Sequence, residues 1–229
     1  MLNIYRLKPI FKWFTFLFIP LIFFFLYYII DWKLFIKAFS EANPFLLIFA
    51  LSLSFIYPLT GAAKWQVIVK SFDKNISFWK SLEAVMISFS ANLFAPAKTG
   101  DFIKALVSEV DIDKGKLASG VIAERIGDII SLSLLSIIGG FLIGDQWIFS
   151  LGSSIILGIF VIIFLNIRFS PIIKSKNPSN LIIILIESLM LWREKFFNLL
   201  IALVWSSFNW ILGGFQVWII FLSFSSDIS

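Results

Sequence analysis

The sequence predicts an all-α fold, a polytopic transmembrane helix bundle with a re-entrant helical hairpin. Three observations predict it. Of 229 residues, 59% are hydrophobic and 14% are charged, whereas an ordinary soluble domain has about 25% charged residues. The mean hydropathy is +0.96. The apolar residues gather into runs close to the roughly 20 residues that one helical crossing needs. The chain therefore has length for about five to seven full or partial crossings, and none left for a separate soluble domain.

The first crossing is predicted over residues 13–30. Trp13 and Trp32 flank it about 28 Å apart at the helical rise, as interfacial anchors do. A basic leader with Arg6, Lys8 and Lys12 precedes a long apolar run with no small-residue cleavage pattern after it, so this reads as an uncleaved helix with a cytoplasmic N-terminus. A second crossing is predicted over 44–63, a third over 117–143, a fourth over 147–167 and a last over 199–224. Two shorter apolar stretches, Phe78 to Phe94 and Leu181 to Trp192, remain.

Charge decides how the first of these runs. If Phe78 to Phe94 crossed fully, Lys98, Lys104, Lys114 and Lys116 would lie outside and every later loop would carry the wrong sign. If it dips in and returns, 16 basic residues fall inside, Lys33 and Lys37 fall outside, and Arg125 alone lies within the membrane. A re-entrant element over 78–110 is therefore expected. Pro96 and Gly100 interrupt its apolar pattern, and Thr99 or Asp101 can cap a second short helix from Phe102 to Val110. An amphipathic helix lying flat on the cytoplasmic leaflet is the alternative. The uncharged polar residues Ser88, Ser90 and Asn92 suit a protein-facing interior better.

Within 117–143, Glu124, Arg125 and Asp128 interrupt an apolar helix. Each charge costs about 2.5–3.5 kcal/mol or more at mid-membrane, so such groups face a bundle interior or an aqueous cavity and pair there. Glu124 and Asp128 are four apart on one face, where one cation can bridge both. Such a network could be purely structural, or the long helix could project and leave Glu124 and Arg125 at the interface. Small residues at Ser136, Gly140 and Gly144, and at Ser150, Ser154 and Gly158, predict a tight antiparallel helix pair with Asp145 and Gln146 in the turn. Segment 181–192 reads as an amphipathic surface helix or a second dip carrying Glu187, and Trp205, Trp210 and Trp218 of the last helix read as lipid-facing or interfacial.

The chain has no Cys and no His. That removes disulfides, zinc sites built on thiolate or imidazole, cysteine nucleophiles and His-based triads or proton relays. The net charge of +5 lies between apolar runs, which argues for membrane topology and against nucleic acid. No metal ligand set or nucleotide loop stands out, so no cofactor is expected.

Residues 92–128 carry a further signal. Asn92, Pro96, Gly100, Asp101 and Lys104, followed by Glu124, Arg125 and Asp128, resemble the N-x(3)-P-x(3)-G-D-x(2)-[RK] and E-R-x(2)-D signatures of the lysylphosphatidylglycerol synthase transmembrane region, also described as flippase-like. The resemblance implies a multi-pass inner-membrane module that binds an anionic or isoprenoid-linked lipid and moves its headgroup between leaflets. Lys104 stands where the family usually has Arg, which keeps the charge but loses the bidentate fork. The family's C-terminal Gly-x-Gly-x-x-Glu element is not matched, so this copy reads as short. Nor is an aminoacyl-transferase domain present in the sequence, so lysyl transfer from tRNA is not expected of it.

On that reading Lys98, Lys104 and Arg125 supply positive charge for a phosphate, Glu124 and Asp128 hold Arg125 or titrate, and Asn92 hydrogen-bonds the headgroup. Pro96, Gly100 and Asp101 shape the re-entrant turn, with Asp101 as a helix cap. Two other classes stay open. One is a noncatalytic membrane subunit that positions a soluble transferase or other lipid-modifying enzyme. The other is an intramembrane enzyme using Glu124 and Asp128 as acid and base, the less expected of the two.

Overall fold

A computed structural model describes residues 24–25, 27–93, 95–175 and 180–224. Two thirds of the crossing expected over 13–30, with all of its basic leader, lies outside the described residues. Every regular element described is helical. Among the described residues, three helical stretches are long and apolar enough to cross a membrane: Pro44–Lys70, Lys114–Ile143 and Phe196–Phe224. The all-α helix bundle is thus what the chain forms.

The described residues group into two compact units, those within 1–51 together with 216–224, and those within 52–215. In the first unit, α1 (Trp32–Glu41) begins where Asp31 accepts bonds from Lys33 N at 3.0 Å and Leu34 N at 3.2 Å. Asn43 does the same for α2 (Pro44–Leu53), taking Phe45 N at 3.0 Å and Leu46 N at 3.3 Å. These side-chain oxygens satisfy amide donors that a helix start leaves unpaired. Two bonds hold α2 to the end of the last helix: Asn43 N donates to Ser223 O at 2.8 Å, and Gln216 Nε2 donates to Ala50 O at 2.8 Å.

In the second unit, a turn at Ser54 and Phe55 leads into α3 (Ile56–Lys70). The helix does not stop at Ala63 as the apolar run suggests but continues to Lys70. Ala62, Trp65, Ile68 and Val69 recur at helical spacing and are all buried, so packing extends the element past its first lysine.

Next comes the hairpin: α4 (Phe78–Asn92), a 3-10 segment Pro96–Asp101, and α5 (Phe102–Val107). At 1.5 Å per residue α4 is about 22 Å long, short of the roughly 30 Å hydrocarbon core. The returning arm packs against α4 and ends at Val107, earlier than the expected Val110, because Ser108 turns the backbone extended. Gly100 permits the close return: a Cβ there would stand 2.7 Å from Asn92 N and 2.8 Å from the Ala91 carbonyl carbon. The hairpin is tied to α3 by Ser81 Oγ donating to Ala62 O at 2.7 Å and by Trp65 Nε1 donating to Ser108 Oγ at 2.9 Å. At its solvent end, Lys80 donates to Glu109 at 2.6 Å. That contact lowers the Glu109 carboxyl from its ordinary range and raises the Lys80 ammonium.

Asp113 caps α6 (Lys114–Ile143), accepting from Gly115 N at 2.8 Å and Lys116 N at 3.2 Å. Gly144, at φ 76°, ends it in the left-handed conformation that glycine adopts without strain. Asp145 then caps α7 (Gln146–Ser175). The expected tight pair forms, with the small residues partly redistributed. A Cβ on Gly140 would meet Phe149 N at 2.5 Å, and one on Gly152 would meet Ser133 O at 2.7 Å, whereas Gly158 has nothing within 4 Å. Segment 181–192 falls in α8 (Asn180–Glu194), which buries Ile186, Ser188, Leu189 and Trp192. It packs one face on α6, where Trp192 Nε1 donates to Ala123 O at 3.1 Å. The last helix, α9 (Phe196–Phe224), contributes Leu199 and Ala202 to the core that α3, α4, α5, α6 and α8 share.

Candidate functional site

Four helices of the second unit bring six charged groups into contact. Lys64 comes from α3, Asp101 from the end of the 3-10 segment, Lys104 from α5, and Glu124, Arg125 and Asp128 from one turn of α6. Lys64 Nζ lies 2.9 Å from Glu124 Oε1 and 2.9 Å from Asp128 Oδ1. Lys104 Nζ donates to Glu124 Oε2 at 2.6 Å and lies 5.1 Å from the Trp65 ring centroid. Arg125 reaches all three carboxylates: Nη1 is 2.7 Å from Asp128 Oδ2, while Nη2 is 2.8 Å from Asp101 Oδ2 and 3.3 Å from Glu124 Oε1. Three cations thus balance three carboxylates, which makes their removal from water tolerable.

Neutral polar groups complete the cluster. Ser206 of α9 donates to Asp128 Oδ1 at 2.7 Å and accepts from Lys64 Nζ at 3.2 Å. Ser88 Oγ and Asn92 Nδ2 each donate to Asp101 Oδ1 at 2.8 Å. This corrects the expectation for Asp101. It makes no side-chain cap bond, because its backbone is already helical where the 3-10 segment runs into α5, and its carboxylate points instead at α4 and Arg125.

Beside the cluster is a recess of about 260 Å³. Lys64, Lys104, Glu124, Arg125 and Asp128 line one part of it, and Tyr57, Phe89, Asn209 and Trp210 line the rest. Lys98 stands at its edge. Its φ is 58°, an uncommon left-handed conformation for a residue other than glycine, and its Nζ lies 5.8 Å from the Trp210 ring centroid. Lys98 is exposed, and among the described residues no carboxylate pairs with it.

Of the residues singled out from sequence, Lys98, Lys104, Glu124, Arg125 and Asp128 meet at the recess, and Asp101 and Asn92 stand behind it. Pro96 opens the 3-10 segment and Gly100 allows the hairpin to close. Sequence reasoning missed Lys64, which falls just past the crossing expected over 44–63 and was counted among the inside basic residues, and Trp210, which it read as lipid-facing or interfacial. The apolar residues Trp65, Ile68 and Val69, continuing at helical spacing beyond it, were the available signal for Lys64. Among the described residues, no group of three or more His, Cys, Asp or Glu is arranged to hold a metal ion.

This hairpin, followed by a charged turn on the next long helix, is the part of the molecule that the signature residues build. A family model for the lysylphosphatidylglycerol synthase TM region matches residues 13–229. The chain belongs to that family. It is therefore a membrane domain related to lipid handling. Comparisons with curated proteins and with solved structures gave no significant match.

Proposed function

We propose that this domain binds an anionic or isoprenoid-linked lipid by its headgroup in the recess and moves that headgroup between leaflets, as a flippase-like module without catalytic chemistry. The observation that carries the reading is the exposure of Arg125. A network serving only to hold helices together would be sealed, yet the Arg125 side chain is 32% exposed and lines the recess, while Glu124 beside it is 4% exposed. An arginine ordered by carboxylates whose side chain also reaches the wall of a recess is suited to meet a phosphate there. Lys98 adds an unpaired cation at the edge, and Trp210, Tyr57 and Phe89 give apolar wall for the glycerol or isoprenoid portion. The distribution of basic residues supports the inner membrane of the cell with a cytoplasmic N-terminus, even with Lys64 withdrawn from the inside tally.

The test is translocation of a fluorescent phosphatidylglycerol by the purified chain in vesicles, read as the fraction of label protected from an external quencher. The native chain should equilibrate the lipid faster than protein-free vesicles. Arg125→Ala should abolish this while the chain stays inserted, and Lys98→Gln should slow it with helix content unchanged. Unchanged translocation by Arg125→Ala would reject the reading.

A further inference from the structure

Among the described residues, three buried side-chain polar atoms lack a hydrogen bond: Asn92 Oδ1, Asp101 Oδ2 and Arg125 Nε. All three lie where the hairpin meets α6. Native interiors satisfy nearly all such groups, so three at one contact mark a place built for something besides stability. The pairing is unequal. Asp101 Oδ1 takes two good hydrogen bonds from α4, whereas Asp101 Oδ2 is 2.8 Å from Arg125 Nη2 without the alignment of a hydrogen bond, and Nε beside it has no acceptor. The rest of the guanidinium is held elsewhere: Nη1 is 2.7 Å from Asp128, itself fixed by Lys64 and Ser206, and Nη2 also donates to Glu124 Oε1 at 3.3 Å.

We propose that Asp101 is an internal stand-in for the ligand's phosphate, occupying the Nη2 edge of Arg125 while the recess is empty and displaced when a phosphodiester binds. This rests on the lipid-headgroup reading above. A phosphodiester has two acceptor oxygens to take Nε and Nη2 together, which the single Asp101 oxygen does not do. Arg125 keeps its place through Asp128 and Glu124, and the incoming negative charge replaces the one that leaves. Asp101 keeps its bonds to Ser88 and Asn92, so it departs with the hairpin. Because Nε is buried, the exchange requires the 96–101 segment to draw back from α6. Headgroup capture and hairpin displacement are then one event.

The chain has four arginines, Arg6, Arg125, Arg168 and Arg193, so arginine-selective ¹⁵N labelling of the full chain in phosphatidylcholine nanodiscs gives a readable set of Nε–H signals. Arg125→Lys identifies the relevant one by its loss. Dihexanoylphosphatidylglycerol and, separately, inorganic phosphate are the probes, with binding followed by their ³¹P signals. The expected result is a saturable shift of the Arg125 Nε–H signal with the lipid probe. Asp101→Asn, which keeps an acceptor for Ser88 and Asn92, should bind that probe roughly tenfold more tightly, as expected for removal of a competing charged contact. Saturable binding that Lys98→Gln weakens, with the Arg125 signal unmoved, overturns the displacement and leaves the headgroup reading standing. An equal shift with inorganic phosphate keeps the displacement and overturns the lipid assignment. Absence of saturable binding overturns both. The signal of the unmodified chain decides the matter even if Asp101→Asn does not fold.

Discussion

Lys64 and Asp128, 64 positions apart in the chain, are joined by a buried 2.9 Å ion pair between α3 and α6. The same ammonium is 2.9 Å from Glu124, so one lysine holds both carboxylates of the α6 turn in register. Substituting Lys64→Met leaves two buried carboxylates short of a counter-charge. A loss of about 3–5 kcal/mol is expected, because breaking a buried pair costs more than the pair contributes. Unfolding of the detergent-solubilised variant by denaturant titration measures it, and a change below about 1 kcal/mol would mean the carboxylates find other partners.

Adjacent glycines on α6 make a paired test of the α6–α7 contact. A methyl at Gly139 meets nothing within 4 Å, whereas one at Gly140 would stand 2.5 Å from the Phe149 backbone nitrogen. Gly139→Ala should leave stability unchanged or raise it by up to about 1 kcal/mol through helix propensity. Gly140→Ala should lower it by about 1–3 kcal/mol, because backbone on the facing helix cannot yield as a side chain can. Thermal unfolding of the two variants side by side reads the difference, and equal midpoints would deny the close approach.

Gly100→Ala should separate the arms of the hairpin. Its Cβ would be 2.6 Å from Asn92 Oδ1 and 2.7 Å from Asn92 N. Displacing Asn92 also disturbs the bond it donates to Asp101. Since the chain has no cysteine, Ser88→Cys introduces a lone thiol at a buried site. That thiol should react slowly with a water-soluble maleimide, and at least several-fold faster when Gly100→Ala is added. Equal rates would show that the hairpin tolerates the methyl.

The Lys80–Glu109 contact sets a pH window. Glu109 is lowered from its ordinary 4.5 by the hydrogen bond and charge of Lys80, so its contribution is fully present above that value and is lost as pH falls through the lower value in the folded chain. Lys80 is raised from 10.5, chiefly by the hydrogen bond it donates to Glu109, so its share is fully present below 10.5 and is lost as pH rises through the higher folded value. Carboxyl ¹³C titration of Glu109 should show its midpoint moving back up in Lys80→Gln. An unmoved midpoint would mean the pair does not form in solution.

Much of the site was legible because charge inside an apolar helix has few explanations. Glu124, Arg125 and Asp128 were marked by cost alone, and the hairpin by the sign that Lys98 and Lys104 would otherwise give to later loops. Lys64 was hidden by its position at the end of an apolar run, where a lysine is expected to reach for the interface. Only the buried face of Trp65, Ile68 and Val69 shows that the helix continues around it. Asp101 was misassigned for a different reason. Aspartate before a helix is a common cap, but here the 3-10 segment feeds directly into α5 and leaves no cap position, a backbone detail the residue types do not encode. Trp210 was unreadable because a tryptophan near a bilayer and one under a lysine ammonium have the same surroundings in sequence.

Photocrosslinking within the membrane shows whether a lipid headgroup occupies the recess beside Arg125. A phosphatidylglycerol carrying a photoreactive group on its headgroup, irradiated with the chain in vesicles and mapped by mass spectrometry, should attach mainly around Tyr57, Lys98 and Trp210, with attachment reduced several-fold by Lys98→Gln. Labelling spread over the exposed faces of α7 and α9, unchanged in that variant, would mean that the headgroup does not enter the recess.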